Sequence, residues 1–235
     1  MNTRDRSTAK VPRDRYIYRC SHVTMEGTCA VDHGPRIVDV GPLEADIYPV
    51  TNSDYAQFMA ETGYAPRDPQ NFLRHWRDGQ MPPELSDRPV VWVAPEDAKA
   101  FAAWTGGRLP TDEEWQYIAA GPEGRRWPWG PDFDPTRCNH DGDKLTDVTA
   151  HRLGENWCGC QDLSGNAWEW TGAIRDDGMH QFCLIRGGSY FYARDVWHVA
   201  GGARPCDFHW KIQLMGQGMN RAGTVGFRCV YEAKP

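Results

Sequence analysis

The sequence predicts an α+β domain that is rich in loops and low in regular secondary structure. Its 24 glycines and 17 prolines are scattered through 235 residues, which excludes long helices and long strands over most of the chain. Three short segments still carry paired start and stop signals for helices, and short alternating runs supply strands. Hydrophobic residues make up 40% and aromatics 12% of the chain, enough for one large core.

Residues 1–15 are polar and read as a flexible N-terminal arm, leaving 16–235 as a single domain. Tyr16 to Val40 alternates enough for short strands. In the first helix Thr51 or Asn52 caps a turn that places Tyr55, Phe58 and Met59 on one face, and Gly63 stops it. The second starts at Pro95-Glu96-Asp97, where proline suits the first turn and the acids suit the positive end of the helix dipole, and ends at Gly106-Gly107. Ala98, Phe101 and Ala102 form its apolar side. The third opens with Thr111 and Glu114 in capping-box spacing, carries Trp115, Ile118 and Ala119, and ends at Gly121. Beyond it the chain breaks into short glycine-punctuated segments. No repeat of 20 to 50 residues is present, so a propeller or solenoid is not expected.

With 26 basic and 32 acidic residues the net charge is −6, which argues against nucleic acid or an anionic membrane as the principal partner. No apolar run approaches the roughly 18 residues of a spanning helix, and Met1 to Lys10 lacks the apolar stretch of a signal peptide. The expected location is cytoplasmic, with most of the eight cysteines as thiols. Cys20 and Cys29 stand close enough in sequence to close a small loop. Cys158-Gly159-Cys160 is too tight for an easy mutual bridge, and lacks the second cysteine pair of a zinc site.

Six blocks occur in an order that resembles the formylglycine-generating enzyme, or sulfatase-modifying factor, family. They are Arg88 to Val93, Gly107 to Trp115, Trp127-Pro128-Trp129-Gly130, Asp162 to Trp170, Arg186 to Tyr190, and Gly226-Phe227-Arg228. Pro49-Val50-Thr51-Asn52 supplies the opening, so the resemblance spans about 36–231. It implies a C-type-lectin-like fold. Independently of it, Arg108, Arg186 and Arg228 are expected to make charge-assisted bonds to acids or carbonyls of a loop-rich interior.

The resemblance also implies cofactors. Calcium is expected at the side chains of Asp162 and Glu169 with the carbonyls of Gly165 and Ala167, an oxygen set that suits a hard cation. A second calcium-type site would begin at Asn139 and close with Asp141 or Asp143, unless those acids simply solvate a loop. The family's copper-dependent oxidases carry two cysteines after their Arg/Lys-Gly-Gly-Ser-Tyr stretch. Here Tyr192 and Trp197 stand at those positions, and neither suits Cu(I). The related sulfoxide synthases hold iron through three histidines of a helical domain, and no stretch of these residues resembles it.

What replaces the thiols is sought between Tyr192 and Met219. His198 and His209, with Tyr192 and Arg194, are the candidate catalytic groups, and the two histidines are candidate ligands for iron or copper. Trp168, Ser189, Tyr192, Trp197 and Trp210 can line a substrate pocket or pack as core. Cys183 would be reactive only in electropositive surroundings. The functional expectation is a divergent oxidative enzyme, metal- and oxygen-dependent, acting on a small molecule or peptide. The alternatives are a non-catalytic ligand- or protein-binding module and a structural subunit whose surplus tryptophans face a partner.

Overall fold

The computed structural model describes residues 6–21, 34–192 and 201–233, together with the backbone of 24–26 and 29–31. Among the described residues eleven strands and three α-helices follow one another as β1 (Thr8–Val11), β2 (Asp14–Tyr18), β3 (Thr24–Glu26), β4 (Cys29–Val31), β5 (Arg36–Val40), β6 (Leu43–Asp46), α1 (Asn52–Thr62), α2 (Pro95–Thr105), α3 (Asp112–Ala120), β7 (Trp168–Asp176), β8 (Gln181–Arg186), β9 (His209–Leu214), β10 (Val225–Gly226) and β11 (Val230–Glu232). Short strands and long connections give the expected irregular α+β body. No helix among the described residues is long and apolar enough to cross a membrane.

All three helices form where their caps place them. Thr51 accepts from the Asp54 amide while Asp54 accepts from Thr51, and Gly63 ends α1 at φ 63°. In α3 the Glu114 amide donates to Thr111 Oγ1 (3.1 Å) and the Thr111 amide donates back to Glu114 (2.8 Å). Ala94 precedes α2 and has no capping oxygen, so Asp97 accepts the Ala94 amide instead (2.7 Å).

The expected N-terminal arm is corrected from residue 8 onward. Thr8–Val11 pairs antiparallel with β6 in a three-stranded sheet of order β1-β6-β11, and Ala9 and Val11 are buried. Four residues between Ser7 and Pro12 are too short a signal, and burial against the sheet decides the outcome.

A second sheet, of order β10-β7-β8-β9, positions the chemistry. Its register aligns Gly226 with Glu169, Glu169 with Arg186, and Arg186 with His209. Cross-strand neighbours share a face, so three ionisable side chains lie in one row. The start of α3 covers that row. Trp115, Tyr117 and Ile118 of α3 pack with Tyr16, Tyr18 and Leu163, while Tyr55, Phe58, Phe101, Trp168, Trp170 and Phe227 fill a second cluster beside α1 and α2. Each such large side chain contributes about 1.5–3 kcal/mol on burial.

Candidate functional site

Two buried ion pairs anchor the row. Arg228 donates to both oxygens of Glu169 (2.6 and 2.7 Å), and its other contacts are the carbonyls of Asp46, Ile47 and Gln161. Glu169 Oε2 accepts a further bond from the Trp115 indole (2.6 Å). One strand away, Arg186 is bidentate to Asp112 at 2.6 Å on each arm and reaches the carbonyls of Cys206 and Phe208. Both pairs are almost wholly desolvated. Arg108 pairs with Glu114 nearer the surface. All three arginines thus do what their residue type and setting lead one to expect.

Asp112 gathers more than Arg186. Tyr18 donates its hydroxyl to Asp112 (2.6 Å), and His209 Nδ1 lies 3.4 Å from the same oxygen. Burial alone would raise the Asp112 carboxyl, but the Arg186 charge and bonds from His209 and Arg186 hold it well below the usual carboxylate range. Burial would lower the His209 imidazole, yet its bonds to Asp112 and Cys20 hold it above the ordinary value. His209 Nε2 faces Cys20 Sγ at 3.8 Å. The small loop that Cys20 could close with Cys29 involves a side chain outside the described residues.

The segment proposed to bind calcium turns sharply, with positive φ at Asp162 (55°), Gly165 (84°) and Asn166 (58°). A Cβ on Gly165 would stand 2.5 Å from the Asn139 carbonyl, so glycine is required where the two loops touch. Asn139 donates to the Lys144 carbonyl and the Asn166 side chain, stitching those loops together. Asp162 is buried and accepts from Asn166 (2.8 Å). Desolvation pushes its carboxyl up to about 7, against the pull of the Asn166 bond and Arg228, with the Glu169 charge adding to the rise.

The donor set therefore fits calcium unevenly. Asp162 is a buried carboxylate whose charge is under-compensated, which suits a hard cation; Glu169 already has Arg228 as counter-charge. At the second site Asp141 and Asp143 are exposed, as acids that solvate a loop would be. Among the described residues no group of three or more His, Cys, Asp or Glu can hold a metal ion. For iron or copper they bring together pairs, His209 with Cys20 and Cys158 with Cys160, too few for a closed ligand set.

The proposed substrate surface is partly corrected. Trp168 is in the core because it sits on a strand buried on both faces, and the partly buried Phe208 packs between it and the partly buried Trp210 at ring separations of 6.2 Å. Ser189 is buried and donates its amide to the Gly202 carbonyl. Tyr192 is exposed, with its ring over Gly202. Thus Tyr192 and His209 have separate described neighbours. Arg194, Trp197 and His198 lie outside the described residues. Cys183 is buried and its thiol is pushed up to about 12 by desolvation, which removes it as a reactive group. A cleft of about 340 Å³ instead opens beside β2 and α3, lined by Tyr16, Arg19, Gln116, Arg125, Arg126 and Asp207.

An irregular body of small sheets and short helices tied by buried arginine–carboxylate pairs defines a formylglycine-generating-enzyme-like domain of the C-type-lectin-like class. Its fold is shared by Treponema denticola variable protein 1 (TM-score 0.68, 17% identity, 96% of this chain and 95% of that one). It is shared also by PvdO from Pseudomonas aeruginosa (TM-score 0.66, 18% identity, 96% and 94%). Residues 21–233 match the sulfatase-modifying factor enzyme 1-like domain, and the chain belongs to that family. It is 33% identical to inactive C-alpha-formylglycine-generating enzyme 2 of Mus musculus, over 88% of this chain and 82% of that protein. Hercynine oxygenase of Mycolicibacterium thermoresistibile is 29% identical over 68% of this chain, which spans 47% of that relative. The formylglycine-generating enzyme of Thermomonospora curvata is 32% identical over 58% of this chain and 62% of its own length.

Proposed function

We propose that the chain is an oxidative enzyme of this family that uses dioxygen to tailor a small molecule or peptide, at the surface where β8 runs into Ser189 and Tyr192. The observation that carries this reading is the row Glu169, Arg186 and His209. It rigidly fixes the strands on either side of the 187–208 segment, as a site needing positioned groups demands. Relatives named as an oxygenase and as a formylglycine-generating enzyme support the oxidative class. Tyr192, Arg194 and His198 are the groups proposed to meet substrate. His209, engaged by Asp112 and Cys20, acts as a positioning residue. Iron or copper is the proposed redox metal and calcium the proposed structural ion at Asp162; no step is assigned to the redox metal, because the described residues do not assemble its ligand set.

A second reading, a non-catalytic binding module, is favoured by Tyr192 standing exposed where copper-dependent relatives place a cysteine. The similarity to a relative named inactive supports it too. One experiment separates the two. Protein purified without chelator and reconstituted with Fe(II) or Cu(I) is assayed for bound metal per chain and for oxygen uptake with hercynine and short peptides. Stoichiometric metal and substrate-dependent uptake, lost in His198→Ala, are expected. Neither metal nor uptake in the folded protein leaves the binding module as the function.

A further inference from the structure

We propose that Cys158 and Cys160 form a thiol–disulfide exchange site, with Cys158 as the attacking thiol, Cys160 as the resolving thiol, and an accessible disulfide of a small molecule or peptide as substrate. This site is independent of the oxidative surface proposed above. The two sulfurs are 3.8 Å apart, in contact but not bonded. Cys158 is half-buried, whereas Cys160 is fully buried. That graded exposure is what an attacking and a resolving thiol require.

The loop holds this geometry firmly. Asn156 Oδ1 accepts from the amides of both Cys158 (3.1 Å) and Cys160 (2.8 Å), and the Asn156 amide donates to the Cys160 carbonyl (3.0 Å). The Asn156 side chain and the Trp157 indole both donate to the Ile118 carbonyl, tying the loop to α3. Gly159 between the thiols takes φ 95°, a conformation that favours glycine and turns both sulfurs to one side. The bond from the Cys160 thiol comes first among the causes that lower the Cys158 thiol to about 7, followed by burial acting the other way, by the bond that Cys158 Sγ makes to Asn156 Oδ1 and by the bond from the Cys160 backbone. By contrast Cys138, Cys183, Cys206 and Cys229 are all buried with thiols raised first by desolvation.

The chemistry balances without a further reagent. The Cys158 thiolate attacks one sulfur of the substrate disulfide, the substrate S–S bond breaks, and the first thiol leaves carrying the proton lost by Cys158. A mixed disulfide now joins Cys158 to the second half. Cys160 gives up its proton, attacks Cys158 Sγ and releases the second thiol, so that one dithiol is oxidised and one disulfide reduced. Closing a ring across a single residue strains the product, and strained disulfides are the labile, oxidising ones. The resting state is accordingly the dithiol, and the oxidised form readily returns its disulfide to a partner.

The test begins with the unmodified protein. Iodoacetamide alkylation of Cys158, followed by peptide mass across a pH series, is expected to show a midpoint near pH 7; a midpoint near 9 overturns the proposal. At pH 7 Cys158 is expected to react about fivefold faster than in Cys160→Ala, because a larger thiolate fraction is partly offset by lower intrinsic nucleophilicity. Oxidised glutathione should convert the wild type to a Cys158–Cys160 disulfide, whereas folded Cys160→Ser stalls with glutathione on Cys158. Stable glutathionylation of Cys158 in both proteins, or in neither, would refute a resolving role for Cys160.

Discussion

Asp162 and Glu169 stand at the two ends of one short loop, both carboxylates and both buried, yet the structure treats them in opposite ways. Glu169 meets a bidentate arginine and an indole N–H, whereas Asp162 meets one side-chain amide. Glu169 is part of the frame, because its charge is balanced where it lies. The Asp162 charge is not balanced, and its carboxyl holds a proton up to about pH 7. The same residue class at similar burial thus gives a structural clamp in one case and an acceptor for a cation or proton in the other.

The strongest way to break this contrast is to make Glu169 resemble Asp162. Arg228→Met strands the Glu169 charge in the interior and is expected to cost about 3–5 kcal/mol in denaturant unfolding. Adding Glu169→Leu should recover much of that loss. Recovery of nothing would mean that Arg228 acts mainly through its three carbonyl contacts.

The converse substitution sharpens the comparison. The folded chain keeps the Asp162 proton up to about pH 7, while the unfolded chain releases it near the ordinary carboxylate value. Protons therefore favour folding in that window, and stability falls as pH rises through it. Asp162→Asn removes the penalty. In the presence of a chelator it should be about 2–4 kcal/mol more stable than wild type at pH 8, with the difference vanishing near pH 4. Calcium should close the gap by stabilising the wild type alone. Equal pH dependence in the two proteins would place the Asp162 charge in solvent.

The smallest effect is expected where the pair is least buried. Arg108 is 42% exposed beside Glu114, and Arg108→Ala should change thermal unfolding by less than about 1 kcal/mol. A loss as large as that of Arg228→Met would show that burial does not set the worth of these arginines.

The helices were legible because their signals are local: Thr111 with Glu114, Thr51 before α1, and glycines at 63, 106 and 121 act within a turn or two of chain. The arginines were legible as a class of contact but not by partner. Asp112 meets Arg186 across 74 residues and Glu169 meets Arg228 across 59, and only sheet register decides such pairs. Likewise the Asp162-to-Trp170 segment was recognisable, but the opposite fates of its two carboxylates were not, because compensation depends on what packs against each. Whether the tryptophans line a pocket or pack as core stays open in the sequence for a related reason. Composition cannot tell a tryptophan that lines a cleft from one that fills a core, and Trp168 does the second. Cys158 and Cys160 looked too close for a bridge, but their contact and unequal burial depend on how Asn156 folds the loop.

The central place of β6, with β1 along one edge and β11 along the other, bears on how the molecule is made. A chain leaving the ribosome offers β1 and β6 early, but the strand that completes their sheet arrives only when residues 230–232 emerge. Throughout the intervening synthesis one side of β6 presents unpaired amides and carbonyls to any sticky neighbour. Nascent protein therefore stays open to mispairing along β6 until that last strand has emerged and paired, and that interval is when a chaperone has most to protect.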